Sequence, residues 1–322
     1  MRRKSISYAK YGYLFSIPFA AAFLIFMLYP FVYTAVIGFT DLRGLGRTDF
    51  KFLEDPFQNF VTILNNKTFR ASLQNTFKIW IINFIPQILL ALVLTAWFTG
   101  RRHKIKGQGV FKVLFYMPNI ITAATIAILF NVLFLYPTGP INFLLQKLGV
   151  IKQPFYFTTN QLASQLIVAF IQFWTWFGYS MLIFISGVLG LNPEMYEAAD
   201  IDGASSVQQF FFITLPNLRT IMLFMVITSI VGGLNMFDIP RLFNMGEPGG
   251  ATTTTSLFIF NQAFSGSYMY NRAAAASMIV FAVIAALSAV VFFLMRDKEA
   301  ARQKKAERMA KRAAKRAGGA VI

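Results

Sequence analysis

The chain has 322 residues, of which 56% are hydrophobic and 13% are charged, and its formal net charge is +17. Soluble domains carry about 25% charged residues, so this deficit, with a mean hydropathy of +0.56, favours an integral membrane protein over a soluble one. The lack of Cys excludes disulfides and thiol catalysis, and the positive charge lies outside the apolar runs, so it indicates topology and anionic lipid rather than nucleic acid.

A helix that crosses a bilayer needs about 20 apolar residues, and six runs meet this length. The first run is too long for a signal peptide and lacks a small-residue cleavage site, so we interpret it as a retained span. The fifth run is the weakest because it is short and interrupted by Gly. The predicted fold class is all-α integral membrane, one transmembrane domain over residues 1–322, with these spans: Tyr13–Phe39, Phe77–Phe98, Val110–Leu135, Leu166–Leu189, Thr220–Asp238 and Ala273–Met295.

The distribution of Lys and Arg predicts that both termini are cytoplasmic, because most of the 30 basic residues then face the cytoplasm. The loop after the second span reads RRHKIK, and we interpret its lone His103 as solvated. The basic tail, residues 296–322, is rich in Ala, Lys, Arg and Glu, which favour helix, so we expect the sixth span to continue into the cytoplasm. We interpret the tail as a positive-inside anchor, with binding of acidic lipid or of a regulator as the alternative.

Residues 190–218, between the fourth and fifth spans, form a polar and acidic segment that this orientation places in the cytoplasm. Asn192 is suited to cap a helix whose first turn holds Pro193, and Gly203 is suited to end that helix. The pair Ser206–Gln209 has the spacing of a capping box for a second short helix, which Pro216 would end. The sequence therefore predicts two small helices on the cytoplasmic surface, with small residues at their centre that let another protein approach.

The spacing within this segment resembles the EAA loop of permease subunits in binding-protein-dependent ABC importers. The resemblance extends to the six spans, to the opening YLFSIPFAAAFLIFMLYP and to FDIPRLFNMGEPGG after the fifth span, and it covers most of the chain. It is strongest for sugar-importer permeases that pair with a second, different permease, like the larger subunit of the maltose transporter. The residues that match the EAA pattern are Glu197, Ala198, Ala199, Gly203, Ile213, Leu215 and Pro216.

The resemblance implies a function and a set of partners. In that family the EAA loop is a coupling helix that inserts into a cleft of a cytoplasmic ATPase. The implied partners are a second homologous permease, an ABC ATPase dimer, an extracytoplasmic sugar-binding protein and membrane lipid. The sequence contains no G-x-x-x-x-G-K-[ST] phosphate loop, so we expect ATP hydrolysis in a separate chain. We therefore predict a multi-pass protein of the cell membrane with no catalytic residue, metal or cofactor of its own and no nucleic-acid partner.

Lys78 and Asp238 are ionisable residues of the predicted spans, and both stand at span ends. We interpret Asp238 with Arg241 as an end-of-helix pair, so the composition of the spans favours a pathway without charged side chains. Hydroxyls, amides and aromatic rings suit a sugar. Two sets recur at helical spacing, and helix packing is the alternative reading of both. In the fourth span the set is Gln172, Trp176 and Tyr179. In the fifth span the set is Ser229, Gly232, Gly233 and Met236.

Alignment on the EAA loop gives a second set, which the resemblance alone implies. The sugar-contacting positions of the maltose permease fall without gaps on Phe177, Gly178, Met181, Ser229, Gly232, Gly233 and Met236. Gly178 and Ser229 match that permease, whereas the last three residues replace an aromatic and two amides. We therefore expect a roomier pocket and a larger or differently shaped oligosaccharide rather than maltose. Asn235 is a further candidate.

Three alternatives stay open at this point. An ion-coupled secondary transporter predicts buried charges and uptake that a protonophore abolishes. An ABC permease for another solute, such as glycerol phosphate, predicts a cation in the pathway. A membrane enzyme could use Asp200 and Asp202 with a divalent metal, although two residues apart on a helix they point to different faces. No His, Asp and Glu cluster has metal-ligand spacing, and a single His leaves no plausible Ser-His-Asp set.

Overall fold

The computed structural model describes residues 9–100, 105–266 and 268–296. Within these ranges the chain is helical, and pairing of extended chain is limited to one isolated antiparallel bridge between Thr40 and Phe52. Residues 24–28 and 210–214 are π-helical and residues 157–159 form a 3-10 turn. The α-helices are α1 (Ala9–Phe23), α2 (Tyr29–Ile37), α3 (Gln58–Asn65), α4 (Lys67–Thr99), α5 (Gln108–Ile120), α6 (Ala123–Leu133), α7 (Pro140–Lys147), α8 (Gln161–Leu189), α9 (Pro193–Ile201), α10 (Ser206–Gln209), α11 (Leu215–Asn217), α12 (Arg219–Leu234), α13 (Asp238–Asn244), α14 (Thr255–Phe264) and α15 (Tyr270–Met295).

The predicted all-α membrane fold class is confirmed. Four helical segments of the described chain are long and apolar enough to cross a bilayer, and two bent helix pairs raise the number to six if each pair is one span. The continuous segments contain or closely match the first, second, fourth and sixth predicted spans. They are Tyr11–Ile37, Lys67–Thr99, Gln161–Leu189 and Tyr270–Met295. The cytoplasmic position of both termini stays a prediction.

The third predicted span, Val110–Leu135, is not one continuous helix. It consists of α5 and α6, which meet at a bend of 92°. The break follows from Thr122, whose backbone is extended and whose hydroxyl accepts a hydrogen bond from the N–H of Thr125 at 3.3 Å. A residue in this conformation caps a new helix and cannot continue the old one.

The fifth predicted span, Thr220–Asp238, also differs from the structure. The helix α12 has 16 residues and ends at Leu234, so it is about 24 Å long, which is less than the roughly 30 Å thickness of a bilayer core. Asp238 does not end this span, because it lies in the first turn of the separate helix α13, where a carboxylate is favoured by the helix dipole. Arg241 lies in the last turn of α13.

The contacts divide the chain into two compact units. One unit contains the described residues up to Ser72 together with Thr255–Ala282. Buried amides organise it: the side chain of Asn59 donates to the carbonyl oxygens of Gly38 and Thr40, both at 2.9 Å, and the side chain of Asn271 donates to Thr40 at 3.2 Å. These bonds satisfy carbonyl groups that would otherwise be left without a partner after α2 ends.

The other unit contains Leu73–Thr254 and the described residues from Val283 on, and α8 is central to it. On one side, buried apolar residues of α8 pack with those of α4, α6 and α13. Towards its C-terminus α8 packs with α4 and α12. A buried hydrogen bond of 2.8 Å from the amide of Gln87 to the hydroxyl of Ser180 ties α4 to α8. The unit therefore holds α4, α8 and α12 side by side, which positions the cavity described below.

Some predictions fall outside the described residues. These are the predicted helical extension of the tail beyond Arg296 and the first residues of the RRHKIK loop, including His103.

Candidate functional site

The segment between α8 and α12 folds as two short helical stretches joined by a tight turn, here called the hairpin (residues 193–217). As predicted, Asn192 caps the first stretch by accepting a hydrogen bond at 3.1 Å from the backbone N–H two residues on, and Pro193 occupies the first turn. The capping box of the second stretch is Ser205 with Gln208, one residue earlier than the predicted pair Ser206–Gln209. The reason is the backbone, which is extended at Ser205 and already helical one residue later.

Gly203 ends α9, as predicted, and its backbone conformation explains why Gly is required. Its φ of +75° lies in the left-handed region. The N–H of Gly203 donates to the carbonyl of Asp200 at 3.1 Å, and the N–H of Ala204 donates to the carbonyl of Ala199 at 2.9 Å. This pair of bonds is a Schellman motif, which satisfies the last carbonyls of the helix and reverses the chain.

Two side-chain contacts tie the halves of the hairpin together. The Asp200 carboxylate accepts a hydrogen bond of 2.7 Å from the side-chain amide of Gln209. The hydroxyls of Tyr196 and Thr214 lie 2.9 Å apart. Gln209 and Thr214 are buried, whereas Asp200 is exposed and Tyr196 is half-buried. The bonds are therefore partly shielded from water, and they hold the two halves together.

The hairpin is joined directly to α12, and the junction is at Leu218 rather than at Pro216. Pro216 does not end the second stretch, because the chain stays helical from Phe210 through Asn217. The chain then bends by 66° before α12. Leu218 is fully buried, and a Cβ at Gly187 of α8 would approach its side chain to 2.7 Å. The absence of a side chain at Gly187 therefore lets α8 pack closely against the junction.

The surface of the hairpin is exposed and partly apolar. Of the residues that match the EAA pattern, Glu197, Ala198, Gly203 and Pro216 are exposed, whereas Ala199, Ile213 and Leu215 are half-buried. Two large apolar side chains near them are also exposed, Ile201 by 87% and Phe212 by 78%. Clustered apolar exposure of this kind is typical of surfaces that contact another protein.

Asp200 and Asp202, the pair considered for a metal ion, have different surroundings in the hairpin. Asp200 accepts from Gln209, and Asp202 is the exposed C-cap residue of α9. Among the described residues there is no group of three or more His, Cys, Asp or Glu side chains placed to hold a metal ion.

A cavity of about 210 Å³ lies between α4, α8 and α12. It contains the sets predicted from helical spacing on α8 and on α12. Trp176 and Tyr179 contact each other edge-to-face, with ring centroids 5.8 Å apart. The lining residues are Trp80, Asn83, Gln87, Gln172, Trp176, Tyr179, Met225, Thr228, Ser229, Gly232, Gly233 and Met236.

The structure separates the residues implied by alignment into two groups. Ser229, Gly232, Gly233 and Met236 line the cavity. Phe177 and Met181 are buried in the apolar core, and a Cβ at Gly178 would overlap the backbone carbonyl of Phe115 on α5. Gly178 therefore serves close packing of α8 against α5. Substrate contact by the second group stays a prediction.

Asn235 lies at a neighbouring cavity of about 310 Å³. This cavity shares Gln172, Trp176, Gly232 and Met236 with the first, and it extends past the end of α12 to Asp238. The two cavities therefore follow one another along α8 and α12. The side-chain amide of Asn235 donates to the carbonyl of Val231 at 2.8 Å, which leaves its second N–H and its oxygen as the groups that can serve a solute.

Three lining residues on α4 were missed by the sequence analysis: Trp80, Asn83 and Gln87. Asn83 and Gln87 are buried although they lie in a predicted span. The signal was present, because these residues recur at i, i+3 and i+7, the same helical spacing that singled out the residues of α8.

The chain is similar to known proteins over most of its length. The sequence matches the family described as binding-protein-dependent transport system inner membrane component over residues 76–304. The lactose transport system permease protein LacF of Rhizobium radiobacter is 31% identical over 271 residues, which are 84% of this chain and 88% of that protein. The arabinooligosaccharides transport system permease protein AraP of Bacillus subtilis is 29% identical over 270 residues, which are 83% of each chain.

A solved structure supports the fold. It is the crystal structure of a bacterial ABC transporter involved in the import of the acidic polysaccharide alginate, with a TM-score of 0.74 and 22% identity over 88% of this chain and 94% of that chain. The matched region, residues 76–304, contains the hairpin and every residue that lines the two cavities. The chain is a multi-pass protein of the cell membrane and belongs to the family of inner membrane components of binding-protein-dependent transport systems.

Proposed function

We propose that the chain is the permease subunit of an ATP-driven ABC importer for an oligosaccharide and that it forms half of the translocation pathway. The observation that carries the proposal is the chemistry of the cavity between α4, α8 and α12. Its lining residues, all in the described part of the chain, supply amides, hydroxyls, aromatic rings and thioethers, and none is Asp, Glu, Lys, Arg or His. A few polar groups in a mostly apolar and aromatic lining suit sugars, which have both hydroxyls and apolar ring faces.

The relatives support a carbohydrate as the solute. The names of LacF and AraP refer to lactose and to arabinooligosaccharides, respectively. Gly232 is exposed, and a Cβ there would meet no atom within 4 Å, so the cavity has unfilled space at this position. This space supports a solute that places a ring or a substituent beside Gly232. An anionic solute such as glycerol phosphate is disfavoured because the cavity offers no cation for it to pair with.

The size of the cavity supports a second permease. Its 210 Å³ is below the range of about 300–1,000 Å³ that is common for small-molecule sites. A homologous chain facing α4, α8 and α12 would complete the site. The segments Tyr11–Ile37 and Tyr270–Met295 bury only 6% of their most apolar windows, so their surfaces are available to lipid or to that second permease.

The exposed hairpin supports an ATPase partner. Two hydrogen bonds stiffen it from within, its outer surface carries Ile201 and Phe212, and it continues into α12 through the buried Leu218. Motion imposed on the hairpin by another chain would therefore move α12, which carries Ser229, Gly232 and Gly233 to the cavity. We infer that ATP-driven closure of an ATPase dimer on the cytoplasmic side is transmitted in this way and exposes the cavity to a sugar-binding protein outside.

Co-purification tests the partners. The chain carrying an affinity tag, expressed from its native locus and solubilised in mild detergent, should bring down a second permease and an ATPase that contains a phosphate loop. The same preparation from a variant that lacks residues 193–217 should lose the ATPase. Purification of the unmodified chain without any ATPase under conditions that preserve uptake contradicts the proposal.

Uptake distinguishes the proposal from its alternatives. Cells that contain the complete system should take up a labelled oligosaccharide in an ATP-dependent manner that a protonophore does not abolish while ATP is maintained. Uptake that collapses with the proton gradient at constant ATP favours an ion-coupled transporter. Uptake of glycerol phosphate in preference to every sugar tested favours the other ABC permease.

A further inference from the structure

Trp80 on α4 is fixed in the wall of the cavity by contacts with α12. Its indole N–H donates a hydrogen bond to the hydroxyl of Ser229 at 3.0 Å. Its pyrrole edge lies against Gly233, where a Cβ would overlap Cδ1 and would come within 2.8 Å of Nε1. The indole therefore occupies the space that a side chain at position 233 would fill, and a hydroxyl orients it there.

Adjacent glycines on α12 differ in this respect. A Cβ at Gly233 meets the indole, whereas a Cβ at Gly232 meets no atom within 4 Å. Gly233 thus makes room for the indole of Trp80, whereas Gly232 leaves unfilled space in the cavity. The atoms that meet Gly233 belong to an indole that also lines the cavity, so this contact both packs α4 against α12 and shapes the cavity wall.

The indole of Trp80 is half-buried and lines the cavity. Phe84 stacks on it with ring centroids 5.4 Å apart and an interplanar angle of 19°, which covers one face. Ser229 and Gly233 take up the pyrrole edge. Phe77 packs edge-on against the indole, with ring centroids 6.5 Å apart. The part of the half-buried Trp80 that these contacts leave uncovered lines the cavity, and Trp176 of α8 supplies another indole to the same cavity.

We propose that Trp80 is a specificity-determining residue whose indole stacks against a ring of the transported sugar and that Ser229 and Gly233 set its orientation. This inference rests on the proposed function and assigns a role to a residue on α4, outside the sets on α8 and α12. A rigid aromatic wall selects for sugars that can place an apolar ring face against it. It also limits the size of the sugar residue that fits beside it. Aromatic contacts of this kind change affinity between about twofold and tenfold.

The experiment measures uptake by cells that contain the complete transporter, with labelled lactose, maltose, trehalose and arabinotriose as the probes. Trp80→Leu should lower kcat/KM for the best-transported sugar between about twofold and tenfold and should change the ratio between two sugars. Trp80→Phe keeps an aromatic ring and should restore part of the loss. The control Trp97→Leu removes an exposed indole from the same helix, away from the cavity, and should leave the ratio unchanged.

A second measurement tests the contact between Trp80 and Gly233 without any sugar. In the purified full-length chain with Trp97, Trp174 and Trp176 replaced by Phe, Trp80 is the sole tryptophan. Gly233→Ala should shift its emission and increase quenching by acrylamide, whereas Gly232→Ala should not. Equal effects of the two substitutions overturn the proposed orientation.

The two proposals fail in different ways. If the unmodified transporter takes up none of the sugars, the proposed function is contradicted and this inference with it. If the unmodified transporter takes up a sugar and Trp80→Leu leaves both kcat/KM and the sugar ratio unchanged, only the role of Trp80 is overturned.

Discussion

The Asp200 carboxylate and the Gln209 amide are joined by a hydrogen bond of 2.7 Å across the turn of the hairpin. The bond connects α9, which carries Glu197 and Ala198 at the surface, to the stretch that continues into α12. Gln209 is buried and Asp200 is exposed. The Gln209 amide therefore has little access to water, whereas the Asp200 carboxylate can also accept hydrogen bonds from water. The bond ties the two halves of the hairpin together.

Gln209→Ala should weaken this connection. Net contributions of hydrogen bonds to charged groups are about 1.5–3 kcal/mol, and exposure of the carboxylate places this one near or below the lower end. We expect sugar uptake per ATP hydrolysed to fall about fivefold, since a looser hairpin transmits less motion. Uptake and ATP hydrolysis in proteoliposomes with the complete system measure the ratio. Asp202→Asn is the control, because Asp202 is exposed at the C-cap of α9; an equal loss there contradicts this account.

Substitution of Gly203 should act through the backbone rather than through steric overlap within the chain. A Cβ at this position meets no atom within 4 Å, but the φ of +75° disfavours residues with a side chain. Gly203→Val should cost about 1–2 kcal/mol and uncouple ATP hydrolysis from uptake, whereas Gly203→Asn should retain most of the coupling, because Asn visits this region more readily. Both variants should reach the membrane in normal amounts, which immunoblotting of membranes checks. Equal uncoupling by Val and Asn indicates that a partner's surface, not the backbone, sets the limit.

Helical spacing was enough to predict which face of α8 lines the cavity. It also explains why two residues of α8 that alignment implied, Phe177 and Gly178, lie outside the cavity. Residues on a helix are separated by about 100°, so Gln172, Trp176 and Tyr179 share a face while Phe177 and Gly178 are turned towards α5. The residues of α4 had the same spacing. They were missed because a sequence does not state which third helix packs against the two spans nearest the EAA pattern.

The bend at Thr122 could not be predicted from apolarity, because the sequence stays apolar through the break and a window of about 20 residues sees one span. The change of direction before α12 was predicted, but at Pro216 rather than at Leu218. What decides the break is a local capping bond at Thr122 and a buried junction at Leu218, where packing against Gly187 fixes the direction of α12. Packing between distant helices carries no periodic signal in the sequence.

Gly178→Ala should destabilise the protein rather than alter its choice of sugar. The added Cβ would overlap the carbonyl of Phe115, and backbone atoms cannot move aside as a flexible side chain can. We expect a loss of about 3 kcal/mol or more and a lower unfolding temperature in detergent. Gly190→Ala, at the end of the same helix, should be neutral because its Cβ would make only ordinary contacts of 3.5 and 3.8 Å. An unchanged unfolding temperature with a changed KM would instead support substrate contact at Gly178.

The loop that Asp41 holds through its carboxylate should become less ordered only at acidic pH. The backbone N–H of Lys51 donates to its carboxylate at 2.8 Å, and this bond, aided by Arg47 at 3.5 Å, lowers the pKa of Asp41 below its ordinary value of 3.8. Because the pKa is lower in the folded chain, the stabilisation is fully present above the ordinary value and is lost as pH falls through the folded pKa. The loop should therefore be insensitive to this group from about pH 5 upwards.

Hydrogen exchange at the Lys51 amide measures the effect. At pH 5 the amide should be more protected in the unmodified chain than in Asp41→Asn, and the difference should shrink as pH falls below the folded pKa of Asp41. Asp49→Asn is the matched control: its carboxylate lies 3.5 Å from Arg47, but its side chain is 85% exposed. Protection that differs equally between the unmodified chain and both variants at pH 5 shows that general loss of negative charge, not the bond from Lys51, orders the loop.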